Sequence, residues 1–178
     1  MRLADRSAWL GFIGLPAGAW GVAAAGGDGF RRAYILTLSE LLAASITGAI
    51  KVSVRRDRPY DTYEDIRRRN GREGAVRDPH SFPSGHTAIA VAVLSTAALD
   101  GWGWKATVPL AVWATAVGAS RIWLGAHYPS DVLAGAAIGL AASLVVHWLG
   151  DAIVPSSFHN SEGSSPISIS VSLAMAPS

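Results

Sequence analysis

Cysteine is absent from the 178 residues, which excludes disulfides and thiolate metal sites. Charge is also scarce: 16% of residues are charged against 50% hydrophobic, and the net charge is only +2. That balance is too apolar for a disordered chain and leans toward a membrane protein or a deeply buried helical bundle. A pI near 9.3 on so small a net charge does not point to nucleic acid, and no nucleic-acid partner is expected. The length suits one domain with a substantial core.

What is present is unevenly spread. Nine of the fifteen Lys and Arg fall between Lys51 and Arg77, with acids interleaved. Arg67, Arg68, Arg69 and Arg72 read as a solvated loop. Elsewhere five apolar segments stand out: Ser7–Gly27, Ala33–Ile50 with only Glu40 charged, Thr87–Leu99, Ala106–Ser120 and Val132–Gly150. Two reach the length of about 20 residues expected for a bilayer span, and the others are near or below the lower limit of about 17. Their alanine, leucine and small residues, such as Gly135, Ala136, Gly139 and Ala142, predict helices in close contact. Trp9, Trp102, Trp104 and Trp148 lie near segment ends, where an interfacial belt would place them. The first segment also carries a signal-like cleavage pattern at Ala23–Ala25, interrupted by Pro16 and several glycines.

The expected fold is therefore all-α, a helical bundle and polytopic membrane protein of about five apolar helices. Residues 1–154 form one catalytic domain and 155–178 a Ser/Pro-rich flexible tail, in which the alternation Ile167–Leu173 has no visible strand partner. If each segment crosses once, the N-terminus, the loop from Lys51 to Pro83 and the loop from Arg121 to Asp131 share one face.

Three polar clusters meet on that face: Lys51 to Arg58-Pro59, then Pro83-Ser84-Gly85-His86, then Ser120-Arg121 to His127 and Asp131. Lys51, Arg58 and Arg121 are three cations beside apolar helix ends, where an unpaired charge is costly. Converging, they ask for a multiply charged anion, and arginine's planar fork suits phosphate oxygens. Ser84 is placed to cap the helix that follows, and the Gly85 amide is unblocked, so that helix start invites an anion. His127 has Asp131 four residues on; a carboxylate on one ring nitrogen fixes the tautomer and frees the other as nucleophile. His86 can donate a proton to a departing oxygen. No metal ligands of convincing spacing accompany them, and no cofactor is expected.

The pattern Lys-x6-Arg-Pro, Pro-Ser-Gly-His, Ser-Arg-x5-His-x3-Asp resembles the type 2 phosphatidic acid phosphatase (PAP2) superfamily at eleven specified positions. The resemblance implies a metal-independent phosphoric monoester hydrolase acting on a lipid phosphate or diphosphate. In it His127 is the nucleophile oriented by Asp131, His86 is the general acid, and Lys51, Arg58, Ser84, Gly85 and Arg121 hold the phosphate. It also implies a multi-pass protein of the cell (inner) membrane with its site on the periplasmic or outer face. Membrane members commonly have six spans, so one leading helix is expected to be missing here. The competing readings are a soluble or peripheral acid phosphatase, a vanadium haloperoxidase-like enzyme and a non-catalytic anion-binding membrane protein.

Overall fold

The computed structural model describes residues 10–24, 29–66 and 79–155. The Arg67–Arg72 run, Trp9, the end of the alanine-rich cleavage pattern and the alternation at Ile167–Leu173 lie outside them. A π-helical turn, Leu10–Gly14, leads into α1, Leu15–Ala24. Then come α2, Phe30–Val54; the short α3, Pro59–Thr62; α4, Gly85–Leu99; α5, Trp104–Trp123; and α6, Pro129–Ile153. There is no strand among the described residues. Each of the five apolar segments holds a helix.

The core is built from small side chains. On α4, Ala88, Ala90, Ala92, Val93 and Ala97 are fully buried, so this helix runs through the middle of the bundle. Ala88 and Ala92 pack with Ala43 of α2 and Ala142 of α6. Gly135 and Gly139 face the α4 backbone at the Ser84 and Ala88 carbonyls, and a Cβ at either would collide with it. The small residues of α6 thus bring two backbones together, as in close-packed membrane helices. A second cluster joins Ile35 of α2 to Val146 and Val154, and a third joins Ala90 to Ala114 and Val117 of α5.

Direction follows from these contacts. The C-terminus of α2, the N-terminus of α4, the C-terminus of α5 and the N-terminus of α6 come to one end. At the other end Asp100 Oδ1 lies 3.2 Å from His147 Nδ1 and 3.7 Å from Arg31 Nη1, tying α4, α6 and α2. The polar clusters of the sequence therefore share one end, as alternation requires.

Large apolar side chains point outward: Leu133, Leu140, Leu144 and Trp148 on α6, Val108 and Val112 on α5, Leu41 and Val52 on α2. Trp104 and Trp148, at the Asp100 end, are 72% and 84% exposed, while Trp102 is half-buried. Two helices, the one beginning at Phe30 and the one over Pro129–Gly150, are long and apolar enough to cross a membrane. The five apolar segments expected are all helical, and among the described residues these two combine spanning length with sufficient hydropathy. The 15 residues of α4 extend roughly 22 Å, short of about 30 Å of hydrocarbon.

The α4–α6 contact makes a direct prediction. Gly139→Val drives a branched side chain into the Ala88 carbonyl and should cost at least about 1–3 kcal/mol, the usual scale of overpacking. A lowered unfolding temperature of the purified protein checks it, and an unchanged one contradicts the packing.

Candidate active site

The end of α2 reverses sharply. Arg55 closes the helix in the left-handed region (φ 51), its N–H bonding the Lys51 carbonyl at 3.1 Å. Glycine usually serves there, so an arginine held in it marks a turn fixed by its surroundings. The chain then runs through Arg56 to Arg58, the residue before α3, whose Pro59 occupies a first-turn position where its missing N–H costs nothing. Lys51 stays on the last turn of α2 and donates from Nζ to the His80 carbonyl at 2.7 Å. Arg58 Nη1 reaches the Ala126 carbonyl at 3.1 Å and lies 3.5 Å from His127 Nε2.

Before α4 the chain passes through a cis Phe82–Pro83 bond. Ser84 sits at the N-cap position with extended backbone, but its side chain makes no capping bond. Its buried hydroxyl pairs with Thr87 Oγ1 at 2.9 Å instead. The capping expectation is corrected to that extent. Ser84 N–H donates to the Asp131 carbonyl at 2.9 Å, a bond the glycine-permitted approach of α6 brings within reach. Gly85 opens α4 beside the Thr47 methyl, and His86, half-buried, follows it.

From the other side, α5 ends with Arg121, which is 4% exposed and has Nε and Nη2 each 3.4 Å from Ser120 Oγ. Its carbonyl accepts the N–H groups of Ala126 (3.1 Å) and His127 (3.3 Å), rolling the loop back under itself. Gly125 makes this possible with φ 64, where a Cβ would also strike Ile66. Tyr60 N–H donates to the Gly125 carbonyl at 3.1 Å, so the segment after Arg58 braces the same loop.

His127, 3% exposed, is held at the centre. Its Nδ1 lies 2.6 Å from the Ser81 carbonyl and 3.7 Å from Asp131 Oδ2. A carbonyl only accepts, so Nδ1 carries the proton and Nε2 presents its lone pair toward Arg58. The sequence reading gave this tautomer-fixing task to Asp131. In the structure Ser81 is the nearer acceptor, because α6 begins at Pro129 and leaves His127 outside the helix. Asp131, fully buried at the third position of α6, accepts the Tyr128 N–H (2.8 Å) and Arg56 Nη1 (2.7 Å). Burial pushes the His127 imidazole below its ordinary value near 6.5, and the charges of Arg58 and Lys51 push the same way; Asp131 and the Ser81 carbonyl oppose them.

This arrangement can be set beside known proteins. A family model of the PAP2 superfamily matches residues 32–154. The chain belongs to that superfamily. It is similar to the bacitracin transport permease protein BcrC of Bacillus licheniformis, 34% identical over 123 residues, covering 66% of this chain and 56% of that protein. It is also similar to phosphatidylglycerophosphatase B of Escherichia coli K12, 40% identical over 78 residues, which are 41% of this chain and 30% of that protein. The matched region is therefore about half or less of these relatives' length. The crystal structure of Aquifex aeolicus LpxE superposes with a TM-score of 0.62 at 25% identity, covering 81% of this chain and 82% of that one.

The PAP2 signature residues are brought to one end by four helices. Direct bonds or short distances link Arg58, Arg121, Ser84, Asp131 and His127 through the atoms named above. Lys51 is engaged with a loop carbonyl, and Gly85 and His86 are set by the start of α4. Sequence reasoning passed over Ser81, whose carbonyl is a main-chain feature with no residue-type signal, and Arg56, hidden in the run Arg55-Arg56-Asp57-Arg58. Among the described residues no group of three or more His, Cys, Asp or Glu side chains is clustered as for a metal.

A lowered His127 pKa has a measurable sign. A neutral imidazole is the form able to act as a nucleophile or base, so any activity that rests on His127 should persist as pH falls through 6.5 and be lost only lower. A pH profile of kcat/KM, corrected for substrate ionisation, should place its acid limb below 6.5. A limb above 6.5 would show that the buried ring is not the group being titrated.

Proposed function

We propose that this chain is a membrane phosphatase that removes phosphate from a lipid phosphate or diphosphate through a phosphohistidine at His127. The observation that carries the reading is the buried His127 ring, its Nδ1–H on the Ser81 carbonyl and its Nε2 facing the Arg58 guanidinium. A nucleophile needs a free lone pair beside cations that attract the phosphate, and this ring offers one.

In the proposed reaction the phosphate is received by Lys51, Arg58, Arg121, Ser84 and the Gly85 amide at the start of α4. Lys51 exchanges the His80 carbonyl for phosphate oxygens. The lone pair of His127 Nε2 forms the N–P bond as the ester P–O bond breaks, and His86 gives its proton to the leaving oxygen. Water then attacks the phosphohistidine, His86 takes its proton back, the N–P bond breaks and inorganic phosphate leaves. The cations offset charge on the equatorial oxygens as it is redistributed, the main requirement of phosphoryl transfer. Neither a metal nor a cofactor takes part.

The lipid class is supported by the outward apolar residues of α2, α5 and α6 and by two helices of spanning length. A substrate whose tail lies among those helices presents its headgroup at the end where the signature residues meet. That end is proposed to face the periplasm or the outside in a multi-pass inner-membrane protein.

The test is phosphate release by purified protein from phosphatidylglycerophosphate, phosphatidic acid, an isoprenyl diphosphate, a lipid A phosphate and soluble phosphate esters. Expected are release from one or more lipids, unchanged activity in chelator, and a loss of about a thousandfold or more in His127→Ala. Release from soluble esters alone would replace the lipid assignment. Loss of activity in chelator would overturn the metal-free mechanism.

A further inference from the structure

Arg56 touches both of the acceptors that flank His127 Nδ1. Its carbonyl accepts the Ser81 N–H (2.7 Å), while the Ser81 hydroxyl is nearer the Asp57 carbonyl (2.9 Å) than that of Arg56 (3.2 Å), and Ser81 in turn offers the carbonyl that His127 Nδ1–H meets at 2.6 Å. Its guanidinium donates from Nη1 to Asp131 Oδ1 at 2.7 Å, and the other Asp131 oxygen lies 3.7 Å from that same ring nitrogen. Nη1 also reaches Ser130 Oγ at 2.8 Å, and the guanidinium stacks on Tyr128 with Cζ 3.9 Å from the ring centroid. One residue of the first cluster therefore grips the loop before α4 with its main chain and the start of α6 with its side chain.

The two acceptors differ in strength. A neutral carbonyl suits a neutral imidazole, whereas an imidazolium is a stronger donor and is better matched by a carboxylate. When Nε2 forms its bond to phosphorus, the ring acquires positive charge while Nδ1 keeps its proton. We propose that Arg56 is a positioning residue for this reaction, holding Ser81 and Asp131 on either side of the His127 Nδ1–H so that the bond passes from carbonyl to carboxylate as Nε2 takes the phosphoryl group. Arg56 acts through these two partners, its guanidinium being engaged with Asp131, Ser130 and Tyr128. The assignment rests on His127 being the phosphatase nucleophile.

The charged groups that act on the ring are Asp131, Arg58 and Lys51, and Arg56 acts in turn on Asp131; His86 at the start of α4 and Arg121 at the end of α5 lie at the same end of the bundle. Removing the guanidinium leaves the Asp131 charge to act undiminished on His127 and should raise the pH at which the ring protonates.

The experiment compares the purified full chain with Arg56→Gln, Arg56→Lys, Asp131→Asn and the Arg56→Gln/Asp131→Asn double variant, in kcat, KM and pH profile. Arg56→Gln should lower kcat by about 10- to 100-fold, the scale of a misplacement of about 1 Å or less, with KM within about threefold. Its acid limb should move to higher pH, and in the Asp131→Asn background the same change should move the limb no further. Arg56→Lys, which keeps a charge but not the fork, should hold the limb and lose part of kcat. An unmoved limb in Arg56→Gln, or an equal shift in the Asp131→Asn background, overturns the assignment. If Arg56→Gln does not fold, Arg56→Lys decides: kcat lowered about tenfold at wild-type KM supports the assignment, and wild-type kcat overturns it. A wild-type chain that releases no phosphate would sink the phosphatase reading itself, a result distinct from these.

Discussion

The site depends on how closely α4 and α6 approach. Two glycines a helical turn apart let the α6 backbone lie against the Ser84 and Ala88 carbonyls. That approach lets Ser84 N–H bond the Asp131 carbonyl and places the start of α6 beside the start of α4. His127 and Asp131 belong to one motif and Ser84, Gly85 and His86 to another, and this contact is what makes them one site. Apolar attraction between helices is weak in a bilayer, so close packing of small residues has to supply it.

On this frame the electrostatics are arranged by the loops. Lys51, Arg58 and Arg121 come from three different stretches of chain and are held by backbone carbonyls or hydroxyls. Lys51 and Arg58 act on a ring whose burial also disfavours its charged form, which keeps the His127 imidazole neutral at neutral pH, as the proposed nucleophile requires. The one fully buried carboxylate among these residues, Asp131, is held by Arg56 and the Tyr128 N–H. Burying a carboxylate with two such donors costs far less than burying it bare. The opposite end of the bundle has its own tie between Arg31, Asp100 and His147, so both ends of α2, α4 and α6 are fixed by polar contacts.

Much of this was legible in the chain. Uncharged runs located every helix but the short α3, because a long apolar run between charges has few other ways to satisfy its backbone. The spacings Lys51–Arg58, Ser84–His86 and Arg121–Asp131 named most of the residues that gather. Gly135 and Gly139 announced a close contact, though not that α4 was the partner. The part that stayed hidden is what backbone geometry decides. Ser81 acts through a carbonyl, which every residue has, and Pro129 starts α6 two residues after His127, so His127 and Asp131 are not a pair within the helix. Arg56 lay among like neighbours, and only the left-handed turn at Arg55 determines which arginine faces which partner. How many of the apolar helices cross a membrane is not written in hydropathy alone, since a central helix such as α4 can be apolar because it is buried in protein.

The central claim is that His127 Nε2 takes the phosphoryl group. The most direct measurement is rapid acid-free quenching of the purified protein during turnover of a phosphorus-labelled lipid substrate, followed by mapping of the labelled residue. An acid-labile, base-stable phosphate on the peptide containing His127, absent in His127→Ala, is the predicted result. Turnover with label on another residue, or His127→Ala that retains wild-type turnover, would contradict it.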